Sequence, residues 1–460
     1  MMKQSYDLLV IGAGPAGGGA AAAAAGQGRS VALVEREKIG GGCLNYGCDP
    51  TKALLHVARL LDTAQHAARY GLRVDGAAAD WAAVQARVRA IVDQVRGGTD
   101  PQARASLGDR GIDALQGQAR FVSPHEVSVG DKLVRAERVI VAPGSQPAIP
   151  EIEGLRDAGF ITNKEAVYLA RLPRRLAIVG GGPIGVEFAQ LFSRFGTKVT
   201  VLEQGPAMLA KDDRELSDML CDLLAGEGIR METEAEIRSA RRVAGAKSVI
   251  FRTKGSGEEE LQVDEILVST GYLPDLAPLD LAAAGVETAD GAIKADQTLR
   301  TSVGHIWAAG DALGGYQFTH VAYEQGRLAG RNAFAAAPQP FDDRAIPWVT
   351  YTAPELAHVG KTEQQLREEG VSYRVGRKPM AEVERAVATG QTDGLVKLLV
   401  GDDGAILGGH ILAAGAGELI APVVLAMRAG LTVDALATTI LPYPTLAEGV
   451  RWAAEAAQAA

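Results

Sequence analysis

The chain has 460 residues, 47% of them hydrophobic, 22% charged and 5% aromatic, with 55 glycines and a formal net charge of −9. These are globular averages: they exclude collagen, coiled coil and disorder, and the length predicts two to four domains with cores of their own. An acidic balance without any Lys/Arg block argues against nucleic acid and anionic membrane as partners, and three cysteines cannot build a disulfide scaffold.

The N-terminus opens on an uncharged run, Leu8 to Ala25, after Lys3. Pro15, five glycines and an alanine-rich second half make it a poor membrane span or signal peptide. It reads as a strand, a tight turn and a small-residue helix, and the expectation is a cytoplasmic chain. The turn carries G-x-G-P-x-G at Gly12, Gly14 and Gly17, and the next apolar strand, Val31 to Val34, ends on Glu35. The first glycine makes the turn, the second lets a pyrophosphate approach the backbone, and the third lets helix and strand pack closely. The helix N-terminus stabilises phosphate charge, and the acid accepts hydrogen bonds from a ribose. Gly17-Gly18-Gly19 is unusual, since a helical glycine costs about 1 kcal/mol relative to alanine; close packing beneath the first cofactor is the reading.

Next comes Gly40-Gly41-Gly42-Cys43-Leu44-Asn45-Tyr46-Gly47-Cys48-Asp49-Pro50-Thr51-Lys52. In a regular helix, residues five apart have Cα atoms roughly 8–9 Å apart, whereas a disulfide needs less than about 7 Å. A Cys43–Cys48 bridge therefore requires a break, which Gly47 with Pro50 supplies. A redox dithiol, two buried cysteines and half a metal site are the readings. Ligation is disfavoured because the seven histidines are scattered along the chain and Cys221 stands alone. No metal is expected.

The first motif then recurs. Leu176 to Val179 feeds Gly180-Gly181-Gly182-Pro183-Ile184-Gly185, and Val199 to Leu202 ends on Glu203. In each copy the acid follows the first glycine by 23 residues, from 12 to 35 and from 180 to 203. An ordinary glycine turn explains one copy; two copies with matching acids predict two bound dinucleotides. Glu203 repels a 2′-phosphate and no Arg follows it, which favours NADH over NADPH. Near the C-terminus, residues 394–400 and 408–412 read as antiparallel strands.

On these motifs the chain resembles the class I pyridine nucleotide–disulfide oxidoreductases, which include dihydrolipoamide dehydrogenase, glutathione reductase and mercuric reductase. The resemblance runs almost end to end. It implies an α/β fold with two Rossmann-like dinucleotide-binding domains and a C-terminal α+β dimerisation domain. A discontinuous FAD domain would cover 1–150 and 275–340, an inserted NAD(P) domain 151–274, and the dimerisation domain 341–460. By resemblance, electrons pass from nicotinamide to FAD to the cysteine pair, with Cys48 the flavin-proximal thiol and Cys43 the interchange thiol. Lys52 resembles the lysine beside the flavin, and Glu187 its ion-pair partner beside the nicotinamide.

Further positions follow the same likeness. Ala119 matches a contact to the adenine end, and Gly144-Ser145 closes the first FAD segment after Pro143, where the family usually has threonine. Asp311 matches the ribityl-binding aspartate. Gln317, Thr319 and His320 open a helix expected to face the flavin, and Gly271 ends the nicotinamide domain. The implied partners are a second copy of the chain, with the active site shared across the interface, and a small-molecule or metal-ion acceptor.

Two departures bear on function. In the disulfide-reducing relatives a His–Glu pair of one subunit serves the interchange thiol of the other; here Glu448 is present but Tyr443 takes the place of the histidine. An ordinary phenol ionises near pH 10, against about 6.5 for imidazole, so a tyrosine is a poor base at neutral pH. Mercuric reductases also carry tyrosine there, together with a C-terminal cysteine pair that this chain lacks. Asp49 places an acid where an apolar residue is usual and is expected to disfavour a thiolate on Cys48. Three functions follow: reduction of a metal ion such as Hg(II), a quinone or another acceptor; dihydrolipoamide dehydrogenase; or a non-catalytic redox sensor.

Overall fold

The computed structural model describes residues 5–243 and 245–459, so Lys3 and the outermost ends of the expected first and last domains lie outside it. The described chain forms two compact units. One holds the chain up to Leu54 with Ala82–Ala148 and Gly271–Phe341; the other holds Leu55–Trp81, Ile149–Thr270 and the chain from Asp342 onward.

In the first unit, strand Ser5–Ile11 is flanked by Val31–Glu35 and Lys132–Val141, with Ile112–Gln116 beyond Val31–Glu35, all parallel. Leu8 to Val10 and Val139 to Val141 are buried on both faces of the sheet, which is why they read as unbroken apolar runs. On its edge away from Ser5–Ile11, the long strand Lys132–Val141 serves two further neighbours. Its first half pairs antiparallel with Glu126–Val129, and its last three residues pair parallel with Ile306–Ala308.

Over this sheet lie helices Pro15–Ala25 and Thr319–Asn332, and their glycines set how closely they meet. A Cβ on Gly326 would stand 1.9 Å from the carbonyl oxygen of Ala16, one on Gly330 2.5 Å from that of Ala20, and one on Gly19 2.8 Å from that of Tyr323. A Cβ on Gly17 would stand 1.7 Å from the Gly12 oxygen. The close packing expected of Gly17-Gly18-Gly19 is present at two of the three: Gly17 and Gly19 accommodate protein backbone, the turn on one side and the second helix on the other. Nothing in the structure explains Gly18, whose Cβ would meet no atom within 4 Å.

The second unit holds three sheets. A parallel one runs Arg230–Glu232, Lys198–Leu202, Arg175–Val179, Glu265–Val268, and an antiparallel one Glu236–Val243, Ala246–Arg252, Glu258–Val263. The third is antiparallel, in the order Pro347–Thr350, Glu355–Gly360, Ile406–Ala413, Leu395–Val400, Arg374–Pro379. Both C-terminal strands expected from the sequence are in it. Lys397, 1% exposed, joins this sheet to the helix Arg214–Gly226: it bonds Asp213 and Glu215, at and just inside the start of that helix, and Glu363, at 2.8, 2.8 and 2.6 Å. A lysine so buried is tolerated because it is paired and hydrogen-bonded. Among the described residues no helix is long and apolar enough to cross a membrane.

The glycine contacts generate a paired expectation. Gly326→Ala should destabilise by about 1–3 kcal/mol, the range for overpacking, and Gly18→Ala should stabilise by roughly 1 kcal/mol through helix propensity. Thermal melts and the flavin-to-protein absorbance ratio after gel filtration check both; equal melting points for the two variants would contradict the packing argument.

Candidate active site

The two glycine turns are built alike to the level of single hydrogen bonds. Gly12 and Gly180 adopt φ of +96° and +108°, and a Cβ on either would press into backbone, Ala142 O at 2.1 Å or Ser269 O at 2.6 Å. Only glycine fits. Glu35 accepts from Ala13 N at 3.0 Å and Glu37 N at 2.7 Å; Glu203 accepts from Gly181 N and Gly205 N, both at 2.6 Å. Each acid is therefore anchored to its own turn before any ribose arrives, a contact the spacing did not reveal. By contrast, a Cβ on Gly14 would meet only the Cα of Gly41 at 3.8 Å, and one on Gly182 nothing within 4 Å. The second glycines leave room rather than satisfy packing, which fits a pyrophosphate at each turn. Gly185 repeats Gly17, its Cβ position lying 2.0 Å from the Gly180 oxygen.

The cysteine pair sits where the chain breaks between two helices. Gly41–Tyr46 ends at Gly47, with φ −118° and ψ −109°, and Cys48–Gln65 starts at the next residue. A Cβ on Gly47 would lie 3.1 Å from the Cα of Cys43. The break is thus at Gly47 alone; Pro50 belongs to the first turn of the second helix, where its missing N–H is harmless. Both cysteines are thiols in this structure. Cys43 and Cys48 are within hydrogen-bond reach of each other and of Thr319, whose Oγ1 lies 3.4 Å from Cys48 Sγ.

The two sulfurs are not equivalent. Cys48 is the first residue of an 18-residue helix and lies beside the first residue of helix Thr319–Asn332, so two N-terminal dipole ends converge on it. Cys43 lies inside a six-residue helix, and its thiol is pushed well above the ordinary range by its hydrogen bond to Cys48, by burial and by the charge of Cys48, with Asp49 adding a smaller push. Burial raises the Asp49 carboxyl as well, while its own backbone N–H and the charge of Lys52 pull it back.

Ser145 Oγ donates to Asp311 Oδ2 at 2.5 Å, and burial raises the Asp311 pKa against that bond. Gln317 donates to Tyr272 O at 3.3 Å, and His320 stacks on Phe318 at 5.6 Å. The helix opens at Thr319, so Gln317 precedes it. Ala119 is buried at the start of strand Ala119–Ser123, and Gly144 and Gly271 hold φ of +77° and +104°. Lys52 belongs to the first unit, and Glu187 to the second, where it is buried and accepts from Tyr351 N at 2.9 Å. Tyr443 is 71% exposed, while Glu448 is buried and accepts from Thr445 N at 3.1 Å. Cys221 lies in helix Arg214–Gly226, its thiol pushed up to about 11 by burial first.

The histidines add contacts that the sequence did not reveal. Though scattered along the chain, four of them meet in pairs: His125 stacks on His305 at 3.9 Å, and His358 lies 4.8 Å from His410 across neighbouring strands. Neither pair gains a third ligand; among the described residues no group of three or more His, Cys, Asp or Glu could hold a metal ion.

Comparison with known proteins now gives the class. The profile described as "Pyridine nucleotide-disulphide oxidoreductase" matches residues 6–326, and that of the same family's dimerisation domain matches 346–454. The chain belongs to the pyridine nucleotide-disulphide oxidoreductase family, and it is an enzyme dependent on FAD and NAD(P)H. It is 36% identical to a mercuric reductase of Streptomyces lividans over 98% of this chain and 96% of that protein. It is also 36% identical to a dihydrolipoyl dehydrogenase of Thermus scotoductus, over 98% and 97%. A solved structure, the Cu(II) complex of the HOCl-induced flavoprotein disulfide reductase RclA from Escherichia coli, superposes with a TM-score of 0.88 at 30% identity, covering 99% of each chain.

The electrostatics of the pair can be tested directly. Asp49→Asn removes an anion that opposes ionisation, so iodoacetamide should label the reduced cysteines roughly threefold faster at pH 7, corresponding to about half a pKa unit. Label is counted by mass spectrometry. Slower labelling in Asp49→Asn would show that the carboxylate assists the thiols instead.

Proposed function

We propose that the enzyme draws electrons from NADH and delivers them through the Cys43–Cys48 dithiol to a metal ion such as Hg(II), or to a quinone, as a mercuric-reductase-like catalyst. The observation that carries this reading is Tyr443 in the position of the family's acid–base histidine, exposed above a buried Glu448. A disulfide substrate needs a base to ionise the interchange thiol and an acid to protonate the departing sulfur, work typically contributing 10²–10⁴-fold. Its hydrogen bond to Cys48 and burial push the Cys43 thiol upward, and an ordinary phenol is no base for it at neutral pH. A thiophilic cation needs no such base: it displaces both thiol protons itself as two metal–sulfur bonds form.

The residues divide the remaining work. Gly12, Gly14, Gly17, Glu35, Ala119, Gly144, Ser145, Asp311, Gln317, Thr319 and His320 would hold FAD, with Lys52 as the cation beside its ring. Gly180, Gly182, Gly185, Glu203 and Gly271 would hold the nicotinamide dinucleotide, with Glu187 near its reactive end. Bound FAD supplies a two-electron carrier between nicotinamide and sulfur. Cys48, at two helix N-termini, carries the thiolate, and Cys43 meets the acceptor. The Glu203 charge favours NADH. The matched dimerisation domain supports a two-fold homodimer in which Tyr443 of the partner subunit and Glu448 of the partner subunit complete the site around Cys43. The Cu(II) in the RclA complex supports a metal acceptor.

The likeness to dihydrolipoyl dehydrogenases favours lipoamide as the second reading. Anaerobic NADH titration should show about four electrons taken up by wild type and about two by Cys48→Ser. Equal uptake removes the dithiol from the mechanism. With Hg(II), Cu(II), quinones, lipoamide and glutathione disulfide as acceptors, wild type should favour the first three. Tyr443→His should raise lipoamide turnover by at least roughly tenfold, and fast lipoamide turnover in wild type would select the second reading.

A further inference from the structure

We infer that Arg96 is a positioning residue for the redox dithiol, acting through Asn45 as the centre of a clamp built by the helices Trp81–Arg96 and Asp100–Gly108. The inference rests on the reading of Cys43 and Cys48 as the working pair.

Asn45 lies between the two cysteines and is 1% exposed. Its Nδ2 donates to the carbonyl oxygens of Ile39 and Gly41, at 3.1 and 2.8 Å. Those carbonyls flank Gly40 and enter the short Cys43 helix, where Gly40 and Gly41 both have positive φ, +96° and +64°. An amide can do this only with its NH2 toward the loop and its oxygen away from it. Arg96 sets that orientation: its Nη2 donates to Asn45 Oδ1 at 2.6 Å. The guanidinium, 6% exposed, is itself fixed by Asp93 at 2.6 Å and sits at the C-terminal end of its helix, the end that favours a cation.

The rest of the hairpin holds the other side of the same loop. Asp100 Oδ1 accepts from Ile39 N at 2.7 Å, and Arg104 pairs with Asp100 at 2.7 Å while donating to Glu37 O at 3.0 Å. Residues 37 to 45 are therefore tied down at three backbone or amide points by charged side chains, at Glu37 O, Ile39 N and Asn45 Oδ1. Bonds of that kind are the stronger class of hydrogen bond.

Closing the disulfide forms one S–S bond, breaks two S–H bonds and releases two electrons and two protons to the oxidant. It requires Cys43 to reach Cys48 across the Gly47 break. Holding the Cys43 helix raises the effective concentration of one sulfur at the other and so favours the bridge. Without the clamp the dithiol gains freedom that the disulfide does not, and the couple becomes more oxidising.

The test is equilibration of the holoenzyme in dithiothreitol redox buffers, counting thiols by alkylation and mass spectrometry, with the flavin potential measured in parallel. Arg96→Met should lower the closure constant about tenfold, equivalent to about 30 mV for this two-electron couple, with the flavin potential unchanged. Arg96→Lys, which keeps one donor, should recover most of the loss. A closure constant within twofold of wild type in Arg96→Met overturns the clamp. Should that variant not fold, Asn45→Asp carries the same test: it keeps the Arg96 bond but loses both amide donors, and an unchanged constant there overturns the clamp equally. Wild type taking up only two electrons from NADH sinks the reading of the dithiol itself, a result independent of the difference between wild type and variant.

Discussion

Everything in the first unit depends on how near two helix backbones come to each other. Pro15–Ala25 starts at one glycine turn, and Thr319–Asn332 starts beside Cys48. Their N-termini present backbone N–H groups and helix dipoles that would favour a phosphate at one and a thiolate at the other. The contact between the helices is main chain on main chain, at Gly19, Gly326 and Gly330. Each added carbon there moves one N-terminus relative to the other. The distance from the first glycine turn to the thiol is thus fixed by residues that carry no chemistry.

The second glycine turn repeats the same solution in the other unit. A glycine at positive φ brings strand and helix together, and an acid from the next strand accepts two backbone N–H bonds around the turn. The carboxylate is consequently oriented without any cofactor, and little reorganisation remains for the ribose to impose. Preorganisation of this kind reduces the ordering that binding must otherwise accomplish.

Much of this was legible in the sequence because the responsible residues lie close together in the chain. The turns, the acid 23 residues on, the break at Gly47 and the two C-terminal strands are local patterns. What escaped was long-range. Thr319 meets Cys48 across 271 positions, Arg96 meets Asn45 across 51, and His358 meets His410 across 52. No periodicity links such residues; only the topology of the sheets does. The Gly17-Gly18-Gly19 run read as close packing, but the partner of Gly19 is a helix that begins three hundred residues later and could not be named from the sequence. Tyr443 was noticed only against a family pattern, since nothing in its neighbours signals a missing base.

The helix contact has a genetic consequence. An enlarged side chain in a core is usually rescued by trimming the one it strikes, and revertants of that sort are common when both partners are side chains. At Gly326 the atoms struck are the carbonyl, the carbonyl carbon and the Cα of Ala16. No codon shortens a main chain. Damage at that position therefore cannot be rescued by trimming the residue it strikes, and recovery comes from true reversion or from stability gained elsewhere, as at Gly18.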